Sequence, residues 1–280
     1  MENRRGFTLI ELSIVLVIIG LIVGGVLVGR DLIQAAELRS TISQIEKYDS
    51  AVHTFQLKYQ DDLPGDMPSR DAAQFGFAAR QGGVGHGDGD GILTGGNGNN
   101  TSLNSSATCG EDSLFWNDLS TANLIEGSFS GTDTDWANNC AISDASTIEP
   151  RLKLNPTTFW KVYGDTAVGK NYYLTWPCTG WDNGTWGAGT CNGLLTPNQA
   201  YQIDQKIDDG LPLSGNVTAR HQSLFLYQGP FTLDPPGAIP STDPTQYCVS
   251  IASGNPYAIK PDYSWVTTDA PECILSIGMS

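Results

Sequence analysis

The stretch RRGFTLIELSIVLVIIGLIVGGVLV, residues 4–28, determines the structure of the N-terminal segment of this chain. Two arginines and Gly6 precede an apolar run from Phe7 to Val28, and that run carries a single charge, Glu11. About 20 apolar residues are enough for a helix to cross a bilayer, at about 1.5 Å per residue. A carboxylate inside such a helix is costly in lipid unless it is paired, so we expect Glu11 to serve a function.

The order Arg-Arg-Gly-Phe-Thr-Leu-Ile-Glu-Leu at residues 4–12 resembles the class III signal of type IV pilins and of the pseudopilins of type II secretion. The resemblance implies that a prepilin peptidase cuts between Gly6 and Phe7 and methylates the new amino group of Phe7. It also implies that Glu11 neutralises the N-terminal ammonium of a neighbouring subunit during assembly. A buried acid and a buried ammonium, each costly alone, become tolerable as a pair.

Two plainer interpretations compete with this signal. An ordinary secretory signal has its small-residue cleavage site after the apolar core, and no Ala-x-Ala-like site follows Val28. A simple membrane anchor has no need of Glu11. The spacing of Gly6, Phe7 and Glu11 therefore favours the pilin-type signal.

The apolar run continues into an amphipathic stretch without a proline before Pro64. Apolar residues recur there at helical spacing, which predicts one buried stripe: Leu38, Ile42, Ile45, Val52, Phe55 and Tyr59. We therefore predict one helix from Phe7 to about Lys58, about 80 Å long. The predicted organisation is a leader over 1–6, a transmembrane and filament-core segment over 7–28, an amphipathic half of the same helix over 29–60, and an extracytoplasmic globular domain over 61–280.

The predicted fold class is α+β and pilin-like, with a long N-terminal membrane-spanning helix packed on a globular domain that contains an antiparallel β-sheet. Asp61–Asp66 ends the long helix in a turn, and Gln81–Ser106 is typical of a long surface loop. Helices are predicted at Glu111–Glu126 and, from a capping box with a first-turn proline at Thr196–Gln199, up to Gly210. Aromatic and β-branched stretches predict strands: Thr158–Tyr163, Asn171–Trp176, Ser223–Tyr227 and Tyr247–Ile251.

The chain is acidic, with a formal net charge of −15 at pH 7. Its 15 lysines and arginines are scattered along the sequence. Nucleic-acid binding needs a clustered basic surface, so we expect no nucleic-acid partner.

Six cysteines lie beyond the apolar run: Cys109, Cys140, Cys178, Cys191, Cys248 and Cys273. An even count in a translocated domain predicts disulfide bonds. Pairing of sequence neighbours, 109–140, 178–191 and 248–273, is the simplest connectivity among the possible ones. Zinc is the competing interpretation, but no Cys-x-x-Cys spacing occurs.

The segment His-Gly-Asp-Gly-Asp-Gly at residues 86–91 makes Asp88 and Asp90 candidate calcium ligands. Asn97 and Asn99 offer further carbonyl oxygens, although an EF-hand has a glutamate where Asn99 stands. The competing interpretation is a polar loop whose glycines serve turns. The sequence therefore leaves calcium as a possible cofactor, and it indicates no other.

A second acidic cluster comprises Asp204, Asp208 and Asp209. It resembles a stretch found in many pseudopilin-like sequences, a group whose major members bind calcium in their C-terminal region. The favoured interpretation is helix termination, with carboxylates accepting hydrogen bonds from turn amides. Leu63–Asp66 is likewise interpreted as a turn rather than a site.

Trp176, Trp181 and Trp186 recur every five residues, which suggests a ligand-binding aromatic surface on an adhesin. The favoured alternative is a small core filled by indole rings, since tryptophan is highly buried on average. The chain shows no nucleophile-plus-base pattern, no P-loop and no dinucleotide fingerprint. We therefore expect no enzyme.

The sequence as a whole predicts a structural subunit of a type IV-like filament, a minor pseudopilin of type II secretion or a type IV pilin-like protein. The alternative is a filament-tip adhesin that binds a surface or carbohydrate ligand. The resemblance implies these partners: copies of the chain, other pilins or pseudopilins, prepilin peptidase and an inner-membrane assembly platform. It implies an inner-membrane protein with one span and a periplasmic domain, and later a periplasmic or extracellular filament.

Overall fold

A computed structural model describes residues 9–83, 85–94, 110–131, 145–166, 168–176, 195–212, 214–221 and 273–280. The helices are α1 (Leu9–Lys58), α2 (Ser69–Phe75), α3 (Glu111–Thr121) and α4 (Pro197–Ile207). The strands are β1 (Phe159–Asp165), β2 (Lys170–Trp176), β3 (Val217–His221) and β4 (Cys273–Gly278). The predicted α+β architecture is confirmed, whereas the strands predicted at Ser223–Tyr227 and Tyr247–Ile251 lie outside the described residues.

Helix α1 is the single long helix that the sequence predicts, and it ends at the predicted Lys58. The predicted apolar stripe faces the domain: Leu38, Ile45, Val52 and Phe55 are buried, and Ile42 and Tyr59 are partly buried against the same core. The helix ends because Gln60 and Asp61 adopt left-handed backbone angles, with φ of 62° and 73°. A residue in that conformation cannot continue a right-handed helix.

The described strands form one antiparallel sheet in the order β1-β2-β4-β3. Strands β1 and β2 form a hairpin in which Tyr163 pairs with Tyr172. Strand β4, near the end of the chain, lies between β2 and β3 and is buried along its whole length. Strands β3 and β4 and helix α2 were not predicted from the sequence.

Helix α3 is shorter than predicted, since it ends at Thr121 instead of Glu126. Asn123 has a φ of 57°, the Leu124 amide donates to the Leu119 carbonyl, and the Asn123 amide donates to the Ser120 carbonyl. This pair of hydrogen bonds is a Schellman motif, in which asparagine occupies the left-handed position usually taken by glycine. The prediction placed the stop at Gly127 and missed this asparagine.

Helix α4 begins as predicted. The Thr196 hydroxyl accepts from the Gln199 amide, and the Gln199 side chain accepts from the Thr196 amide. The two hydrogen bonds complete the capping box, and Pro197 occupies the first helical position. The helix ends at Ile207, three residues before the predicted Gly210.

The described part of the predicted surface loop is anchored to the core. Leu93 is 1% exposed, and its carbonyl accepts a hydrogen bond of 2.6 Å from the Gly164 amide of β1. Just before the loop, Arg80 forms an ion pair with Asp118 of α3, and both side chains are fully buried. The described residues 81–83 and 85–94 therefore form an irregular loop, as predicted, with residues 81–83 and 89–91 at the surface and residues 93–94 buried.

Candidate functional site

The N-terminal half of α1 carries its apolar side chains on the outside of the described structure. From Leu9 to Ile33 the large aliphatic residues are 48–88% exposed. An 18-residue window of this helix is apolar enough to cross a membrane, and none of that window is buried. This apolar half of the helix is consistent with membrane anchoring.

Glu11 stands in the first turn of α1 and is exposed. An acidic side chain at this position interacts favourably with the positive end of the helix dipole. Gly6 and Phe7, the predicted processing residues, lie outside the described residues. The structure therefore places Glu11 on the exposed apolar helix, and the cleavage site stays a prediction.

Four glycines, Gly20, Gly24, Gly25 and Gly29, lie within this apolar half, and α1 runs through them without a break. A β-carbon added at any of them would meet nothing within 4 Å. The fold of the chain itself therefore does not require glycine there. Small residues of this kind allow another helix to approach closely.

A second feature, the acidic cluster, comprises Asp66, Asp88 and Glu111. One carboxylate oxygen of each residue lies within 4.8 Å of the others. Asp66 and Glu111 are buried, whereas Asp88 is at least partly exposed. The Asp90 of the predicted calcium pair is exposed, and its Oδ1 accepts from the Ile92 amide at 2.7 Å.

Backbone amides orient the buried carboxylates of the acidic cluster. The two oxygens of Asp66 accept from the Gly89 and Gly91 amides at 2.8 and 2.7 Å. Glu111 Oε1 accepts from the Gly87 amide at 2.8 Å, and its Oε2 accepts from the amide and hydroxyl of Thr94. The loop that carries the candidate calcium ligands Asp88 and Asp90 therefore wraps around two acids from other segments.

Glycine is required where this loop approaches the neighbouring turn. Gly87 has a φ of 75°, and a β-carbon there would lie 2.5 Å from the Met67 carbonyl oxygen. Gly65 has a φ of 86°, and a β-carbon there would lie 2.3 Å from the Glu111 carbonyl oxygen. Both the left-handed backbone and the lack of space exclude larger residues.

The electrostatics of the acidic cluster favour an added positive charge or a proton. The pKa of Glu111 is raised to about 9, chiefly by burial and also by the neighbouring Asp66, while hydrogen-bond donors act in the opposite direction. Burial likewise raises the pKa of Asp66 to about 7, and Asp88 and Asp90 act in the same direction. Carboxylate oxygens are the ligands that calcium prefers, so the donor set fits this cation.

Sequence reasoning missed Asp66 and Glu111 as members of the cluster. Leu63–Asp66 does form the predicted turn, but the turn also directs Asp66 to the amides of Gly89 and Gly91. Glu111 was interpreted as the first residue of a helix, which it is. No local pattern signals a meeting of residues so far apart along the chain.

The other acidic cluster, at the end of α4, is engaged with the backbone. Asp204 Oδ1 accepts from the Gly210 amide, Asp208 Oδ2 from the Val217 amide, and Asp209 Oδ1 from the Leu211 amide. One carboxylate oxygen of each aspartate lies within 4.8 Å of the others. These contacts are those expected of helix termination, the favoured interpretation.

The remaining candidate residues are only partly described. Trp176 ends β2 and is 8% exposed, as expected of a core residue, whereas Trp181 and Trp186 lie outside the described residues. Cys273 is disulfide-bonded. The predicted pairing stays a prediction, because Cys109, Cys140, Cys178, Cys191 and Cys248 also lie outside the described residues.

Comparison with known proteins identifies the N-terminal segment. Residues 1–27 match the family model of the prokaryotic N-terminal methylation motif. No curated protein and no solved structure matches the chain. The motif points to a structural subunit rather than an enzyme. The match and the exposed apolar helix that follows it support a type IV pilin-like family for this chain.

Proposed function

We propose that this chain is a structural subunit of a type IV-like filament, either a pseudopilin of a type II secretion system or a type IV pilin-like protein. The observation that carries the proposal is the exposed apolar half of α1, which coincides with the N-terminal methylation motif. In water, such a helical surface must be covered. The bilayer covers it before assembly, and the helices of other subunits cover it in the filament.

Maturation precedes assembly in this proposal. Prepilin peptidase removes residues 1–6 and methylates the amino group of Phe7. The mature chain rests in the inner membrane with its globular domain on the periplasmic side. An assembly platform then transfers it into a filament, which lies in the periplasm for a pseudopilus and outside the cell for a pilus.

Glu11 forms the ion pair with the neighbouring subunit in this proposal. Its carboxylate pairs with the N-terminal ammonium of Phe7 in another subunit, and the pair offsets the cost of burying either charge in the filament core. The contact is head-to-tail, and repeating such a contact generates an open fibre instead of a closed ring. The large domain over residues 61–280 favours a minor subunit.

Replacing Glu11 tests the proposal. In cells that make two differently tagged copies, we expect Glu11→Ala to be processed and inserted in the membrane but to lose cross-linking to the second copy. Glu37→Ala is the matched control, because Glu37 lies on the same helix beyond the apolar run. Wild-type cross-linking of Glu11→Ala would contradict the proposed pairing.

We further infer that the acidic cluster binds calcium. The support is the convergence of Asp66, Asp88 and Glu111 and the fit of their oxygens to this cation. Asp66 and Glu111 would hold the ion from the buried side, and Asp88 from the exposed side. Bound calcium would tie the loop to α3 and so stabilise the domain.

Thermal unfolding with calcium and with chelator tests this site. At calcium 100-fold above its dissociation constant, the expected gain in stability is about 2.7 kcal/mol. Asp88→Asn should lose the gain, and Asp90→Asn should keep it, because Asp90 is not part of the acidic cluster. Equal melting temperatures in calcium and chelator would overturn the site, while the filament proposal would stand.

A further inference from the structure

The second half of α1 has an uncovered face on the side opposite its buried stripe. Residues on this side, spaced alternately by four and three, form what we call the back face of α1: Leu32, Ala36, Arg39, Ser43, Glu46, Ser50, His53 and Leu57. All of them are exposed, and Leu32 is 66% and Leu57 89% exposed. Spacing by fours and threes is typical of a helix that packs along another helix.

Two opposite charges lie on the back face without a counterpart on their own helix. Arg39 and Glu46 are seven residues apart, which separates them by about 10 Å along the axis. Helical neighbours lie three and four positions away, and at those positions Arg39 has no acid and Glu46 has no base. Neither side chain forms an ion pair within the described residues. Both charges are therefore available to another molecule.

A second, parallel copy shifted by seven residues satisfies both charges. This shift of about 10 Å brings Arg39 of one copy level with Glu46 of the other. Without a shift, each charge would face its own like charge in the second copy, which is unfavourable. An antiparallel copy would also join the charges, but copies anchored in one membrane by the same end of α1 run in the same direction. The charges therefore favour one parallel arrangement.

The same shift matches large residues with small ones. Leu57 of one copy comes level with Ser50 of the other, and Leu32 comes level with Gly25. Small residues at a helix contact allow the two backbones to approach closely. The shape of the back face and its charges therefore agree on the shift.

We propose that the back face of α1 binds a second copy of this chain in parallel, shifted by seven residues and joined by an ion pair between Arg39 and Glu46. The inference rests on the proposed filament subunit and specifies which surfaces of two subunits meet beyond the apolar run. The proposed Glu11 pairing requires a shift in the same direction, because Glu11 lies four residues beyond Phe7. The two domains, each packed on the buried stripe of its own helix, lie outside the pair.

Cysteine cross-linking between two differently tagged full-length copies in the source cells tests the shift. Ser43→Cys in one copy and Ser50→Cys in the other should form a disulfide under mild oxidation, because the shift makes these positions level. The matched controls carry the same replacement in both copies, either Ser43→Cys or Ser50→Cys. These pairs should cross-link several-fold less, since an axial separation of about 10 Å exceeds the reach of a disulfide. Equal or stronger cross-linking in the controls would overturn the proposed shift.

Charge reversal tests the ion pair, with the disulfide between positions 43 and 50 as the readout. Arg39→Glu in both copies should reduce this cross-link several-fold, because two acids then face each other. Addition of Glu46→Arg to the same chains should restore it. Lys153→Glu makes the same change in net charge at an exposed lysine of the domain and should leave the cross-link unchanged. Full cross-linking of Arg39→Glu, or no rescue by the second reversal, would overturn the ion pair.

The Glu11→Ala comparison separates this inference from the proposed function. Glu11-dependent cross-linking without a disulfide between positions 43 and 50 would overturn the back-face contact and leave the filament proposal standing. The absence of both would overturn the filament proposal together with the inference that rests on it.

Discussion

The two halves of α1 belong to one continuous helix but lie in different surroundings. In the first half, Leu21 is 73% exposed and Leu9 88%. In the second half, Phe55 is fully buried and Val52 is 5% exposed. The first half is apolar on all sides, whereas the second has a single apolar stripe. The pattern of apolar residues thus separates an exposed apolar surface, which the proposed function assigns to lipid and other subunits, from the stripe that packs on the domain of the same chain.

The largest expected difference between the halves is in the free energy of unfolding. Phe55→Ala should cost about 3–5 kcal/mol, because it leaves a cavity in the core. Leu21→Ala should change the stability of the domain by less than about 0.5 kcal/mol, since its side chain is exposed. Denaturant unfolding of the full chain in detergent, followed by tryptophan fluorescence, measures both. Equal costs would mean that the first half also packs on the domain.

The acidic cluster should make the stability of the domain, on which the second half of α1 packs, depend on pH. Folding raises the pKa of Glu111 from an ordinary 4.5 to about 9, so the folded state keeps a proton that the unfolded state releases. Stability should therefore fall as pH rises between these values, by at most about 1.4 kcal/mol per pH unit. In chelator, Glu111→Gln should flatten the decline. Parallel curves for the variant and the wild type would contradict the assignment.

A smaller effect on domain stability is expected at the N-terminal cap of α4, a helix that packs against α1. Thr196→Ala removes the hydroxyl that accepts from the Gln199 amide and should cost about 1 kcal/mol of domain stability. Thr196→Ser should retain most of the cap. The measurement is the same denaturant unfolding, and an unchanged midpoint for Thr196→Ala would show that the capping box does not stabilise the domain.

The smallest expected effect on domain stability is at the glycines of the exposed half. Gly24→Ala should change it by less than about 0.5 kcal/mol, because a β-carbon there meets nothing within 4 Å. The same variant should weaken cross-linking between copies if another helix packs closely at Gly24. Unchanged cross-linking would rule out close helix contact at this residue.

The local features of the fold could be predicted from sequence. The apolar stripe, the end of α1 at Lys58, the hairpin strands and the Thr196 capping box follow from spacing and from residues close together in the chain. Strand β4 was missed because its partners, β2 and β3, lie far from it in sequence. Residues that meet through the tertiary fold give no local pattern.

The candidate site residues also fall into two groups, those that a local motif identifies and those that meet only in the folded chain. Glu11 was identified from a contiguous motif, and Asp88 from its spacing between glycines. Asp66 lies in a turn and Glu111 begins a helix. Each of these residue types is common in such a position, so nothing in the sequence indicated that they join Asp88.

The N-terminal peptide of the protein in its own cells tests the central claim most directly. Cells would be sheared, and the protein from the filament pellet and from the membrane fraction would be digested and analysed by mass spectrometry. We expect a mature chain that starts at N-methylated Phe7 in at least one fraction. Its presence in the sheared pellet would indicate a pilus, and its restriction to the envelope a pseudopilus. A chain that still starts at Met1 in every fraction would contradict the account of this protein as a filament subunit.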